Sequence, residues 1–220
     1  MSPRRGFLAT SVFVWLVVSA SSASPATIIL NRATLNGLLG SSTRTEDFDA
    51  IDIGGFPTWT IAAPGQTVDS STHAIIEGVS FTSFGTYLTV RESGTGQRIQ
   101  VGNQFPASLV IDFSGPTPAL GFDHFRPANF LSVVTLKIFA ADDTTLLDTV
   151  AVNRTLFPFV GVSEPMGIGS VEVSSITEGA FLQYQMGLDL VTFGVPEPST
   201  GLLLGAGLIA LGFWRREPRR

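Results

Sequence analysis

Residues Val133–Val152 read VVTLKIFAADDTTLLDTVAV, and this stretch decides the fold class. Val134, Leu136 and Ile138 alternate with Thr135, Lys137 and Phe139. A period of two sends successive side chains to opposite faces of a strand, so one face is buried while Lys137 faces water. A second run, Leu146–Val152, follows the segment Ala141-Asp142-Asp143-Thr144-Thr145, whose short polar side chains favour a turn. The pattern predicts an antiparallel hairpin.

The same texture fills the middle of the chain. Short β-branched and aromatic runs are separated by Gly, Pro, Asn, Asp and Ser clusters. Besides Val133–Phe139 and Leu146–Val152, the candidate strands are Ala50–Ile53, Ala74–Thr82, Thr86–Arg91, Arg98–Gly102, Ser108–Phe113, Ala119–Phe125, Phe157–Gly161, Ser170–Ile176 and Gln183–Phe193. Helical periodicity is confined to Arg32–Leu39, where Asn31 can cap a short helix and Gly40 can end it. About ten short strands in a single domain imply two packed antiparallel sheets. A barrel is the alternative. The expected class is an all-β antiparallel β-sandwich of jelly-roll type.

Composition narrows the function classes. The chain of 220 residues has 13 basic and 18 acidic side chains. The middle, residues 24–194, holds 7 basic and 16 acidic ones, a formal charge of −9. An acidic domain lacks the basic patch that nucleic-acid phosphates require, so no nucleic-acid partner is expected. There is no cysteine, which excludes disulfides, thiolate metal sites and cysteine nucleophiles. Phe is abundant at 17 residues, as expected of a packed core.

The ends differ from the middle. Residues 1–23 have Arg4 and Arg5, an apolar run from Phe7 to Val18, and then small residues. This is the layout of a secretory signal peptide, expected as a helix, and the run is short for a membrane span. Cleavage after Ala23 suits Ser21-Ser22-Ala23, with Ala20 and Ala26 as alternatives. Arg4-Arg5-Gly6-Phe7-Leu8 also fits a twin-arginine signal, and either route takes the middle out of the cytoplasm. At the other end, Gly201–Trp214 is 14 residues without a charge. As a helix it spans roughly 21 Å, short of a hydrocarbon core of about 30 Å. Four glycines weaken it further as a permanent anchor. Arg215, Arg216, Arg219 and Arg220 place the terminus on the cytoplasmic side.

Pro196-Glu197-Pro198, a short glycine-rich apolar segment and an arginine cluster occur in that order within residues 195–220. This tail resembles the PEP-CTERM sorting tail of Gram-negative, often exopolysaccharide-producing bacteria. The resemblance implies recognition of Pro196, Glu197 and Pro198 by an exosortase, a membrane-embedded cysteine transpeptidase. It also implies a transient anchor in the cytoplasmic membrane, followed by release to the cell surface or extracellular matrix. Physically, two prolines fix φ twice and remove two donors, which keeps the motif extended for a protease-like groove. The tail departs from the family pattern by running on through Glu217 and Pro218. The middle, read over Thr45–Gly194, resembles the ectodomain that often precedes this tail and is similar to jelly-roll carbohydrate-binding modules. The phrases that carry this are SLVIDFSGPTPALGFDHF (Ser108–Phe125), VTLKIFAADDTTLLDTVAV (Val134–Val152), FPFVGVSEPMGIGSVEVSSI (Phe157–Ile176) and LDLVTFG (Leu188–Gly194), with Glu46–Asp49 fitting its N-terminal strand.

Site chemistry is sparse. His73 and His124 are far apart, with no nucleophile elbow and no zinc spacing around them. No catalytic residue and no cofactor is assigned. Glu46, Asp47 and Asp49 near the start, with Asp189 in the last strand, are oxygen ligands of the type that suits a structural Ca²⁺. Trp59 and Tyr87 are expected to pack in the core, with stacking on sugar rings as the alternative. Asn153-Arg154-Thr155 matches a glycosylation acceptor, which carries little weight beside a bacterial sorting tail. The expected function is a non-enzymatic surface or matrix protein, structural or polysaccharide-binding. The rival is a secreted hydrolase built on paired carboxylates.

Overall fold

The computed structural model describes residues 25–55, 58–93, 96–101, 108–125, 132–153, 159–177 and 186–195. The strands in chain order are β1 (Thr27–Ile29), β2 (Thr43–Glu46), β3 (Thr58–Ala62), β4 (Thr67–Val68), β5 (Val79–Phe84), β6 (Leu88–Ser93), β7 (Gly96–Val101), β8 (Ser108–Phe125), β9 (Ser132–Phe139), β10 (Leu146–Asn153), β11 (Phe159–Thr177) and β12 (Met186–Gly194). Helix α1 (Arg32–Leu39) lies between β1 and β2. The pairings among the described residues are all antiparallel.

The quoted hairpin forms as expected. Lys137 pairs with Thr149, Leu136 with Val150 and Val134 with Val152. Val134, Leu136 and Ile138 are fully buried. At the turn, Asp142 Oδ1 accepts from the amides of Thr144 (3.0 Å) and Thr145 (2.8 Å), and Thr145 Oγ1 donates to Asp142 Oδ2 at 2.6 Å.

Two strands are far longer than the sequence implies. β8 has 18 residues and β11 has 19, and each joins two expected strands into one bent ribbon. Ser108–Asp112 pairs with Ser170–Ser174, and Thr117–Asp123 with Phe159–Ile168. Register shifts flank the Ile168–Thr117 pair on both sides, next to Pro116, Pro118 and Pro165. Proline has no amide to donate, so bulges accommodate it where a regular ladder would not.

The bend divides the strands into two halves. One runs β4-β5-β8-β11-β9-β10. The other runs β1-β11-β8-β12-β7-β6-β3, with β2 on the far end of β12. Phe81, Ile111 and Leu136 of the first half share one core with Val90, Ile99 and Phe122 of the second. Phe113 and Phe193 tie the halves together, with ring centroids 5.3 Å apart.

Helix α1 begins and ends where the sequence places it. Asn31 caps it by accepting from the Ala33 amide at 2.7 Å, and Gly40 ends it at φ 56°. Leu35 and Leu39 pack with Ile29, Ala119 and Phe159 in a second, smaller cluster.

Some expected elements are corrected. Ala50–Ile53 is not a strand. Side-chain caps hold the chain in turns there, from the Asp49 amide to Asp47 Oδ1 (3.2 Å) and from the Gly54 amide to Asp52 Oδ1 (2.8 Å). Ile51 and Ile53 are apolar because they are buried, not because they lie in a strand. The Ala74–Thr82 strand begins only at Val79, and β3 was not expected. The expected signal-peptide and transmembrane helices lie outside the described residues. Among the described residues no helix is long and apolar enough to cross a membrane.

Candidate functional site

The last strand sets the geometry of the tail. Val191–Gly194 of β12 pairs with Thr43–Glu46 of β2. The Gly194 amide donates to Thr117 Oγ1 at 2.9 Å, and Thr117 is fully buried. A Cβ on Gly194 would stand 2.8 Å from Leu39 Cδ2 and 3.2 Å from Pro118 Cδ. The Val195 amide then donates to Ser42 O at 3.0 Å. The chain is thus gripped up to the residue before Pro196.

Residues 194–216 match the PEP-CTERM protein-sorting motif. The PEP-CTERM motif therefore starts on the final residue of β12. Pro196, Glu197, Pro198, Arg215, Arg216, Arg219 and Arg220 lie outside the described residues. Among curated proteins, none matches the chain. Solved structures similar to it include a family 29 carbohydrate-binding module at 10% identity, covering 62% of this chain and 86% of that one, TM-score 0.34. The K2 cleaved adhesin domain of Lys-gingipain is similar at 13% identity, covering 70% and 99%, TM-score 0.37. The family 11 carbohydrate-binding module of a Clostridium thermocellum cellulosomal cellulase is similar at 11% identity, covering 72% and 99%, TM-score 0.27.

A charged cluster lies beside the strand that leads to the motif. Asp189 of β12 stands opposite Asp123 of β8. Arg32 of α1 reaches both strands. Its Nη2 is 3.0 Å from Asp123 Oδ1, and its Nη1 donates to Thr192 Oγ1 (2.6 Å) and Leu190 O (3.0 Å). Its guanidinium lies 4.8 Å from the Phe159 ring centroid, a cation–π contact. A bulge between Asp189 and Thr192 puts Leu190 at φ 49°, an uncommon value for a non-glycine residue. Burial pushes the Asp189 carboxyl up, against the Leu190 amide, and the like charges of Asp123 and Asp49 add to the rise. Sequence reasoning missed this cluster because Arg32, Asp123 and Asp189 carry no local spacing signal.

The expected calcium ligands have other partners. Glu46 is buried, with Oε1 accepting from the Phe48 amide (2.6 Å) and Oε2 from the Ile76 amide (2.5 Å). Asp49 Oδ1 accepts from the Gln97 amide at 2.6 Å. Asp49 acts on Asp189 through its charge, but no group of three metal-ligating side chains occurs among the described residues. Glu46 and Asp49 thus hold loops through backbone amides. His124 is buried on β8 and His73 is half-buried in a loop, so the structure does not bring them together in one strand or turn. Trp59 on β3 and Tyr87 just before β6 are 47% and 54% exposed, which removes core packing as their role. β3 and β6 are paired neighbours.

Proposed function

We propose that this chain is an exported surface or matrix protein, sorted through its tail and cut by an exosortase at or near Pro196–Pro198. In this reading residues 1–23 direct export, the apolar segment anchors the precursor in the cytoplasmic membrane, and Arg215, Arg216, Arg219 and Arg220 hold its end inside. The observation that carries it is the match of residues 194–216 to the PEP-CTERM motif. Mass spectrometry of the mature C-terminus, in cells with and without an exosortase, tests it. An apolar tail that persists in both would leave a simple anchor instead.

The domain is then a jelly-roll-type sandwich with a structural or carbohydrate-binding role, exopolysaccharide being the expected partner. Exposed Trp59 on β3 and exposed Tyr87 just before β6 support binding, since sugar rings stack on aromatic faces. A glycan array with the processed protein and its Trp59→Ala variant tests this. The hydrolase reading draws on Asp123 and Asp189 standing opposite each other with Asp189 raised. Glycan turnover lost in Asp189→Asn would favour it.

A further inference from the structure

Five residues, Pro196–Thr200, lie between Val195, whose amide is bonded to Ser42 O, and the apolar run at Gly201. Fully extended, they span at most about 18 Å. No free residue precedes Pro196 on its N-terminal side, because the Val195 amide is bonded to Ser42 O. Fraying does not supply one easily. Releasing Gly194 would break its bond to buried Thr117 Oγ1 and the pairing of β12 with β2.

Enzymes that cut peptides hold them extended, with main-chain contacts on both sides of the cut. Here the upstream side is folded protein. The surface around the exit is formed by the turn Gly40–Ser42, by Thr43 and by the end of α1. Leu38 lies on that last helical turn and is 52% exposed, while its neighbour Leu39 packs against Gly194. An exposed leucine beside a pinned exit suits a contact with protein.

We infer that this exit surface, centred on Leu38, Ser42 and Thr43, is a docking site for the membrane-embedded peptidase that cuts the tail. The enzyme then reads the folded domain and Pro-Glu-Pro together, not a free peptide. The inference rests on the sorting reading above.

The test is an insertion of Gly-Ser-Gly-Ser between Val195 and Pro196 in the full chain, with precursor conversion followed in cells that hold the exosortase. The insertion leaves the spacing from motif to membrane unchanged and follows Val195, the last described residue, so thermal melting should match the parent. Conversion is expected to slow by about fivefold or more, the loss when two coupled contacts are untethered. Leu38→Glu is expected to slow it as well, and an unchanged rate would overturn a docking surface centred on Leu38. Conversion of the insertion chain at the parental rate or faster overturns the inference, leaving the motif read as free peptide and the domain on lipid or on nothing. A parental chain left uncut in the same cells overturns the sorting reading itself.

Discussion

Glu46 and Ile76 are joined by one hydrogen bond, from the Ile76 amide to Glu46 Oε2 at 2.5 Å. With the Phe48 amide on Oε1, a single buried carboxylate holds two loops to the end of β2. Burial lifts its pKa above the ordinary 4.5, more than the two amides pull it down. The folded chain therefore holds this proton more tightly than the unfolded one. Glu46's contribution is most favourable below 4.5 and is lost as pH rises through the raised value. Glu46→Gln turns an amide donor toward one of the two N–H groups, at a cost of roughly 1–3 kcal/mol. Urea unfolding at pH 4 and pH 7 checks both points, and the wild-type advantage should be larger at pH 4. Equal gaps would refute the burial account.

Asp142 shifts the other way. Bonds from Thr145 Oγ1, then from the Thr145 and Thr144 amides, lower its pKa from 3.8 to about 2. The stability it adds to the β9–β10 turn is fully present above 3.8 and lost as pH falls toward about 2. Amide exchange at Thr144 and Thr145, taken relative to the intrinsic rate at each pH, should accelerate over that window. In Asp142→Ala it should be fast throughout, and slow exchange in that variant would show the turn stands without its cap.

Gly169 has backbone on its open side. A methyl group there would overlap Ala140 O and stand 2.7 Å from Ala141 Cα. Backbone cannot rotate away as a side-chain end can. Gly169→Ala is expected to destabilise by about 3 kcal/mol, read as a fall in the urea midpoint. A midpoint within error of the parent would mean that the β9–β10 turn moves freely.

Legibility in the sequence followed the range of the signal. The Val133–Val152 hairpin was readable because its period of two and its turn lie within one stretch. Helix α1 was readable from Asn31 and Gly40, which act on adjacent residues. The long β8 and β11 were not, because Pro116, Pro118 and Pro165 read as strand breaks and their bulge partners lie far along the chain. The Glu46–Asp49 acids look alike as metal ligands or loop clamps until Ile76 and Gln97 are placed beside them. The sorting motif is a continuous phrase and was legible throughout. The Arg32–Asp123–Asp189 cluster assembles only when α1, β8 and β12 meet.

Arg32 uses its planar fork on three partners from two strands, Asp123, Leu190 and Thr192. Lysine carries the charge but not the fork. Arg32→Lys should keep part of the ion pair and lose the bulge contacts, destabilising by roughly 1–2 kcal/mol. The loss should change little with salt, since the bonds to Leu190 O and Thr192 Oγ1 outweigh a partly buried ion pair. Denaturant titrations at low and high salt decide it. A loss that vanishes in salt would assign Arg32 to charge alone.

Gly194 sits where α1, β8 and the tail converge. Any side chain there must displace Leu39, the Pro118 bend or Gly194 itself. A β-branched side chain cannot turn out of the way, so Gly194→Val should lift the strand end off Thr43 and Thr117. Two changes are expected together. Stability falls by about 1–3 kcal/mol, seen in thermal melting. Limited proteolysis between residues 191 and 195 accelerates, because the freed segment becomes an extended peptide. If docking at the exit governs processing, the same variant should be cut more slowly by the exosortase while ordinary proteases cut it faster. A variant that melts like the parent and resists proteolysis would show that the exit is loosely packed, and the pinned-tail geometry would have to be abandoned.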